Sequence, residues 1–177
     1  MFKDRNQILS TAAASDNWKE TKILLARFKK LKTSRNPFYL DLIDLEAILR
    51  WKLRSQYGRQ KHIRELNTDK IVCEITETAF TISHLDNKYE TELKLNLLCT
   101  IRGVGIPVAT AILSLCYPDK YAVIDFRVWE ELYKQNKSWF SLKDYHKYMK
   151  AINEISVFHG ATPREVDHAI WQLNLNK

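Results

Sequence analysis

One stretch decides the fold of this chain, and it reads Leu97-Leu98-Cys99-Thr100-Ile101-Arg102-Gly103-Val104-Gly105-Ile106-Pro107-Val108-Ala109-Thr110-Ala111-Ile112-Leu113. The apolar residues on both sides predict two helices that are joined by a turn at Gly103-Val104-Gly105. Glycine permits positive φ and lets another backbone come close, so two glycines suit such a turn. We expect Val104 to pack inward and the amides at the start of the second helix to face outward. The small residues Ala109 and Ala111 would let the two helices pack closely.

Helical patterns continue on both sides of this stretch. With only 4 glycines and 4 prolines, the composition disfavours a turn-rich β fold. The predicted helices start near Trp18, Asn36-Pro37, Asn67-Thr68, Asp86-Asn87, Pro107, Asp125, Ser141 and Thr162, and Gly58 is expected to end the second of them. Ile71-Cys73 and Tyr121-Ile124 are the only strand candidates, and both are short. We therefore predict an all-α fold.

The length of 177 residues suits one helical domain, or two helical lobes on either side of a groove. An apolar content of 45% is sufficient for a sizeable core, and no exposed apolar stripe points to an oligomer, so we expect a monomer. The net charge of +7 favours a polyanionic partner.

The three cysteines, Cys73, Cys99 and Cys116, are too widely spaced for a zinc ribbon or an iron–sulfur loop. Reduced thiols and a cytoplasmic or nuclear compartment are expected. Neither a secretory signal nor a membrane span is predicted. The histidines show no metal-ligand spacing, so we predict no metal site, and His168 with its charged neighbours on the last helix is interpreted as a surface cluster.

A basic stretch between Arg50 and Arg64 contains no acidic residue. Lys52, Arg54 and Arg59 are candidate phosphate contacts, and Trp51 and Tyr57 interleave with them as candidate stacking partners for bases. The alternative interpretation is an ordinary solvated helix face.

Residues Leu98 to Val128 resemble the helix-hairpin-helix and Gly/Pro-Asp region of the DNA glycosylase superfamily, which includes endonuclease III, the adenine glycosylases and the alkyl-base glycosylases. The match consists of the glycine turn and of Ala122-Val123-Ile124-Asp125-Phe126-Arg127-Val128, with Asp125 at close to the family's interval after Gly105. The resemblance implies a helix-hairpin-helix motif over residues 93–116 that holds a phosphate of double-stranded DNA. It further implies that Asp125 is the essential carboxylate.

The departures from the family are informative. Pro107 occupies the position of the Schiff-base lysine of the bifunctional members, so the chain resembles the monofunctional ones. Arg102 replaces the usual proline, and Phe126-Arg127 replaces a Thr-His pair. The cysteine cluster that binds iron–sulfur in some members is absent. No cofactor is predicted, apart from the monovalent cation that the family's hairpin often holds on its carbonyls.

For the reaction that this resemblance implies, a carboxylate near the sugar would stabilise oxocarbenium character and orient the attacking water. Asp125 is the candidate, with the alternative that it only caps the helix that follows. The flipped base would need aromatic walls, for which Trp51, Tyr57 and Phe126 are candidates. The expected DNA contacts are Arg102, Gly103, Val104, Gly105, Arg127, Lys52, Arg54 and Arg59.

The sequence thus favours a monofunctional DNA N-glycosylase that removes a damaged or modified base, in repair or in defence against phage. A non-catalytic helix-hairpin-helix module that binds DNA is the alternative. A third hypothesis, an unrelated helical protein with a chance glycine turn, predicts no DNA binding.

Overall fold

The computed structural model describes residues 1–175, and every regular element in that range is a helix, so the predicted all-α fold is confirmed. The α-helices are α1 Arg5–Ala13, α2 Asp16–Ser34, α3 Leu42–Leu53, α4 Lys61–Arg64, α5 Asp69–Thr81, α6 Asn87–Leu98, α7 Ile106–Cys116, α8 Phe126–Tyr133, α9 Leu142–His159 and α10 Pro163–Leu175. Neither strand candidate forms a strand: Ile71–Cys73 lies inside α5, and Tyr121–Ile124 is irregular.

Two helix starts differ from the prediction. Helix α1 precedes the helix that was expected to be the first. The helix expected at Asn36-Pro37, whose peptide bond is cis, begins at Leu42. Asp41 supplies the cap there, because its carboxylate accepts a hydrogen bond of 2.8 Å from the backbone N–H of Asp44.

The basic stretch is not one continuous helix, and the prediction that Gly58 ends a helix is wrong. Helix α3 ends at Leu53, where Arg54 adopts a φ of 48°. A 3-10 helix, Arg54–Gln60, connects α3 to α4. The predicted caps of later helices are confirmed: Thr68 caps α5, and Ser141 forms a reciprocal capping box with Asp144 at the start of α9.

The chain divides into two compact units, and the first contains both ends of the described chain, residues 1–25 and the residues from 113 onward. Helix α10 is its centre, because α1, α8 and α9 all pack against it. The buried apolar side chains of this unit include Ile8, Ala12, Val128, Ile152, Val166 and Ile170.

The second unit is continuous and comprises residues 26–112. Helix α5 packs against α3 and α6. Its buried apolar side chains include Leu45, Ile48, Leu49, Val72, Leu95 and Leu98. The unit also buries the carboxylate of Asp44, which accepts hydrogen bonds from Arg27 at 2.9 Å and from Arg35 at 2.6 Å. This pairing satisfies a charge that would otherwise be costly to bury.

Candidate functional site

The glycine turn between α6 and α7 lies in the second unit and closes tightly. The backbone N–H of Val104 donates to the carbonyl of Ile101 at 3.0 Å, and Gly103 adopts a φ of +80°. Val104 is 5% exposed, as expected from the sequence. Glycine is required at position 103 because a residue with a side chain is strained at that φ.

Gly105 serves the turn in a different way. Its carbonyl accepts the first hydrogen bonds of α7, from Val108 and Ala109, both at 2.9 Å. Its φ is not positive, and a Cβ atom there would meet only Pro107 Cδ at 4.0 Å. Gly105 is exposed, so the missing side chain leaves the N-terminus of α7 open to solvent. Because Pro107 has no N–H and the amides of Val108 and Ala109 already donate to Gly105, this helix N-terminus offers an anion the N–H of Ile106 and the positive end of the helix dipole.

Two side chains that the sequence analysis did not assign to the turn support it from behind. The side-chain amide of Asn67 donates to the carbonyl of Arg102 at 2.9 Å and accepts from the N–H of Arg102 at 3.1 Å. The stem of Arg64 lies against Gly103, where a Cβ atom would come within 2.6 Å of Arg64 Cγ. The side chain of Arg102 itself is exposed. Asn67 directly precedes the cap of α5, and that position gave no signal of a contact with the turn.

Asp125 lies in the first unit and begins α8. It is half-buried, and its carboxylate accepts a hydrogen bond of 3.0 Å from the N–H of Arg127, so the predicted N-cap is confirmed. The guanidinium of Arg127 lies 5.1 Å from the ring centroid of Phe126, which is 50% exposed. Arg127 also donates to Asn174 at 3.4 Å.

Buried side chains hold the irregular segment that leads to Asp125. The hydroxyl of Tyr145 donates to the carbonyl of Ala122 at 3.1 Å, and that of Tyr148 donates to the carbonyl of Val123 at 2.8 Å. Burial, followed by the charge of Asp125, raises the pKa of Tyr148 well above its ordinary value. Its hydroxyl therefore keeps the proton that it donates to the backbone.

The cluster around His168 is buried, so its interpretation as a surface cluster is wrong. Asp167, 1% exposed, accepts from the N–H of Val123 at 2.5 Å and pairs with Arg164. Burial lowers the pKa of Arg164 to about 10, whereas electrostatic interactions with Tyr148 and Asp125 act in the opposite direction. Arg164 therefore remains a cation at neutral pH and shares the buried environment of the segment before Asp125.

The same cluster contacts both ring nitrogens of His168. Arg164 Nη2 lies 3.4 Å from His168 Nδ1, and Ser15 Oγ lies 3.3 Å from His168 Nε2. Since a guanidinium only donates, a hydrogen bond between Arg164 and His168 requires Nδ1 to be the acceptor.

The remaining candidate site residues differ in their exposure to solvent. Arg54 and Arg59 are exposed, while Lys52 and Trp51 are half-buried. The ring of Tyr57 lies near two guanidinium groups, 4.7 Å from that of Arg50 and 4.3 Å from that of Arg64, and its hydroxyl donates to Glu46. These contacts are typical of a packed structural side chain, and the predicted role of Tyr57 in a base pocket stays a prediction.

Among residues 1–175 no group of three or more His, Cys, Asp or Glu side chains is arranged to hold a metal ion. Within the same range, no helix combines the length and the apolar character that crossing a bilayer requires. Comparison of the chain with protein-family models, with curated proteins and with solved structures returns no match.

Proposed function

We propose that this chain is a monofunctional DNA N-glycosylase, which binds double-stranded DNA and hydrolyses the N-glycosidic bond of a damaged or modified base. The observation that carries the proposal is the placement of Asp125. This half-buried carboxylate is fixed at the N-cap of α8 and follows a segment whose backbone is held by Tyr145, Tyr148 and Asp167. A catalytic group needs such a rigid support to act at a defined position.

The proposed phosphate contact is the glycine turn of the second unit. The exposed Gly105 begins an apolar helix of eleven residues, and the exposed Arg102 precedes the turn. The helix dipole and a nearby cation both favour a phosphate oxygen. Because phosphate contacts release counterions, we expect the affinity for DNA to fall steeply with salt.

The proposed chemistry is hydrolysis without strand cleavage. Asp125 would stabilise the positive charge that develops on the sugar and would orient the attacking water. Pro107 has no amine, so a Schiff base cannot form at that position. The expected product is an abasic site that is cleaved only on later treatment with alkali, and Phe126 is the exposed aromatic side chain best suited to contact the extruded base.

The test is mass spectrometry of free bases released from a panel of alkylated, oxidised, deaminated and phage-modified duplex DNA. The wild type is compared with Asp125→Asn, because asparagine keeps the N-cap and removes only the charge. We expect one base to be released by the wild type and not by Asp125→Asn. Equal release of the base by both proteins would show that the charge of Asp125 takes no part in the reaction.

A matched control for this variant is Asp86→Asn. Asp86 caps α6 in the same manner, with its carboxylate accepting from the N–H of Lys88 at 2.8 Å. The same change of atoms at another N-cap should leave base release unchanged. Loss of release in both variants would indicate a general effect of losing an N-cap charge instead of a catalytic role.

The second candidate function is a DNA-binding module without catalysis. The observation that favours it is the hydrogen bond from the N–H of Arg127 to Asp125, which accounts for an aspartate at this position without any reaction. This function predicts salt-sensitive DNA binding that is the same in wild type and Asp125→Asn, with no base released from any DNA in the panel.

A further inference from the structure

Arg64 is a buried cation that lies against the glycine turn. It is 2% exposed, and its Cγ and Cδ atoms would lie 2.6 Å and 3.2 Å from a Cβ atom on Gly103. The absence of a side chain at position 103 therefore makes room for the stem of Arg64. A substitution at either position therefore alters the packing at the other.

The guanidinium of Arg64 is incompletely paired. Its Nη2 donates to the carbonyl of Tyr57 at 2.6 Å, and its Nε forms an ion pair with Glu46 Oε1 at 3.8 Å, a separation that is too long for a hydrogen bond. Among residues 1–175, Nη1 has no hydrogen-bond partner at all. Buried guanidinium groups are costly unless their donors are satisfied, so this one requires an explanation.

Arg35 of the same unit shows what a satisfied arginine looks like. Its Nη1 donates to the carbonyl of Tyr39 at 2.9 Å and to Asp44 at 2.6 Å, and its Nη2 donates to Asp41 at 2.8 Å. The second unit can therefore provide acceptors for both terminal nitrogens of a guanidinium where the role is structural. The spare donors of Arg64 set it apart from this pattern.

The cover over Arg64 is the 3-10 helix Arg54–Gln60. None of its residues is buried, and it begins at Arg54 with a φ of 48°. Tyr57 is its contact with Arg64, through the carbonyl and through a ring centroid 4.3 Å from the guanidinium. A segment with so little buried surface is displaced at low cost.

We propose that Arg64 is a second ligand of the DNA phosphate bound at the glycine turn, and that the segment Arg54–Gln60 moves aside to uncover it. This inference rests on the DNA binding proposed above. A phosphate is the partner that fits, because its oxygens accept from the planar guanidinium fork and from the N–H of Ile106 at the positive end of α7. Binding would satisfy the donors that the free protein leaves without acceptors.

The first experiment measures the affinity of the full chain for a short fluorescent duplex by anisotropy, over a series of salt concentrations. Arg64→Met is expected to weaken binding about tenfold, since it removes a charge-assisted hydrogen bond. It should also lower the slope of log affinity against log salt by about 0.9, the value for one phosphate contact. A merely structural role would not change that slope.

Two matched variants calibrate the result. Arg35→Met removes a structural arginine of the same unit whose two terminal nitrogens both donate to acceptors, and we expect it to leave the slope unchanged. Arg102→Met removes an exposed arginine beside the turn, and we expect it to lower the slope. If Arg64→Met keeps the wild-type slope while Arg102→Met lowers it, the inference is overturned. If the wild type shows no salt-dependent binding, the proposed DNA binding itself fails.

The second experiment needs no variant and therefore holds even if Arg64→Met does not fold. Hydrogen–deuterium exchange is followed on the wild-type chain with and without the duplex. The amides of residues 55–61 should exchange faster when DNA is bound, while those of the glycine turn exchange more slowly. Unchanged or slower exchange over residues 55–61 would contradict the uncovering of Arg64.

Discussion

The glycine turn and the Asp125 segment are built in opposite ways. At the turn the backbone faces solvent at Gly105, and side chains such as Asn67 hold the backbone from behind. At Asp125 a side chain occupies the half-exposed position, and the preceding backbone is tied down by buried hydroxyl and carboxylate groups, among them Tyr148 and Asp167.

Because of this difference, the two regions are sensitive to different kinds of substitution. A site made of backbone is damaged by adding atoms, because a side chain at a glycine blocks a conformation or an approach. A site made of a supported side chain is damaged by removing atoms, because the supporting groups lose their partners. Substitutions that add or remove atoms can therefore test whether the turn presents its backbone and the Asp125 segment presents a supported side chain.

The largest effect is expected at the support of Asp125. Asp167→Ala removes the acceptor of the Val123 N–H and the carboxylate that forms an ion pair with the buried guanidinium of Arg164. We expect the free energy of unfolding to fall by about 3–5 kcal/mol, as measured by urea denaturation. Adding Arg164→Met to this variant should recover part of the loss, since it removes the buried charge whose ion pair with Asp167 is lost. No recovery would show that the charge is not the source of the cost.

An intermediate effect is expected at the turn, where the two glycines provide a matched pair. Gly103→Ala must hold a side chain at a φ of +80° and press against the stem of Arg64, so we expect a loss of about 2–3 kcal/mol in the free energy of unfolding. Gly105→Ala should change it by no more than about 0.5 kcal/mol, because its Cβ atom would meet only Pro107 Cδ, at 4.0 Å, which is an ordinary van der Waals contact. Thermal denaturation of the two variants distinguishes them, and equal losses would contradict the separate roles.

The smallest effect is expected at Asp125 itself. Asp125→Ala loses the N-cap of α8 and should cost about 1 kcal/mol, whereas Asp125→Asn keeps the cap and should cost less. Both variants should lose base release equally. A release activity that followed stability, with Asp125→Asn active and Asp125→Ala inactive, would make Asp125 a cap and not a catalyst.

The sequence predicted the all-α fold and the inward position of Val104 because both depend on local patterns. Helical spacing of apolar residues and a glycine turn are visible within a few residues of each other. The cap by Asp125 belongs to the same class, since an N-cap bonds to an amide two or three positions onward. The predicted roles in DNA binding and catalysis stay predictions.

What the sequence did not predict are contacts between distant positions. Asn67 lies 35 positions from the residue whose backbone it holds, and Asp167 lies 44 positions from Val123. The charged residues of α10 have the composition of a solvated face, so Arg164 and His168 were assigned to the surface. Only the packing of α10 at the centre of its unit explains why they are buried.

The order of the two units along the chain has a consequence for synthesis on the ribosome. The second unit is continuous, so all its helices are available once residue 112 has emerged, whereas the first unit joins residues 1–25 to helices made last. Ser15 can contact His168 only after the 153 positions that separate them have been synthesised. At ordinary elongation rates this is a delay on the order of ten seconds. During that interval the apolar face of α1, with Ile8 and Ala12, has no α10 to cover it. A nascent chain stalled before α10 is therefore the form of this protein most exposed to chaperones and proteases.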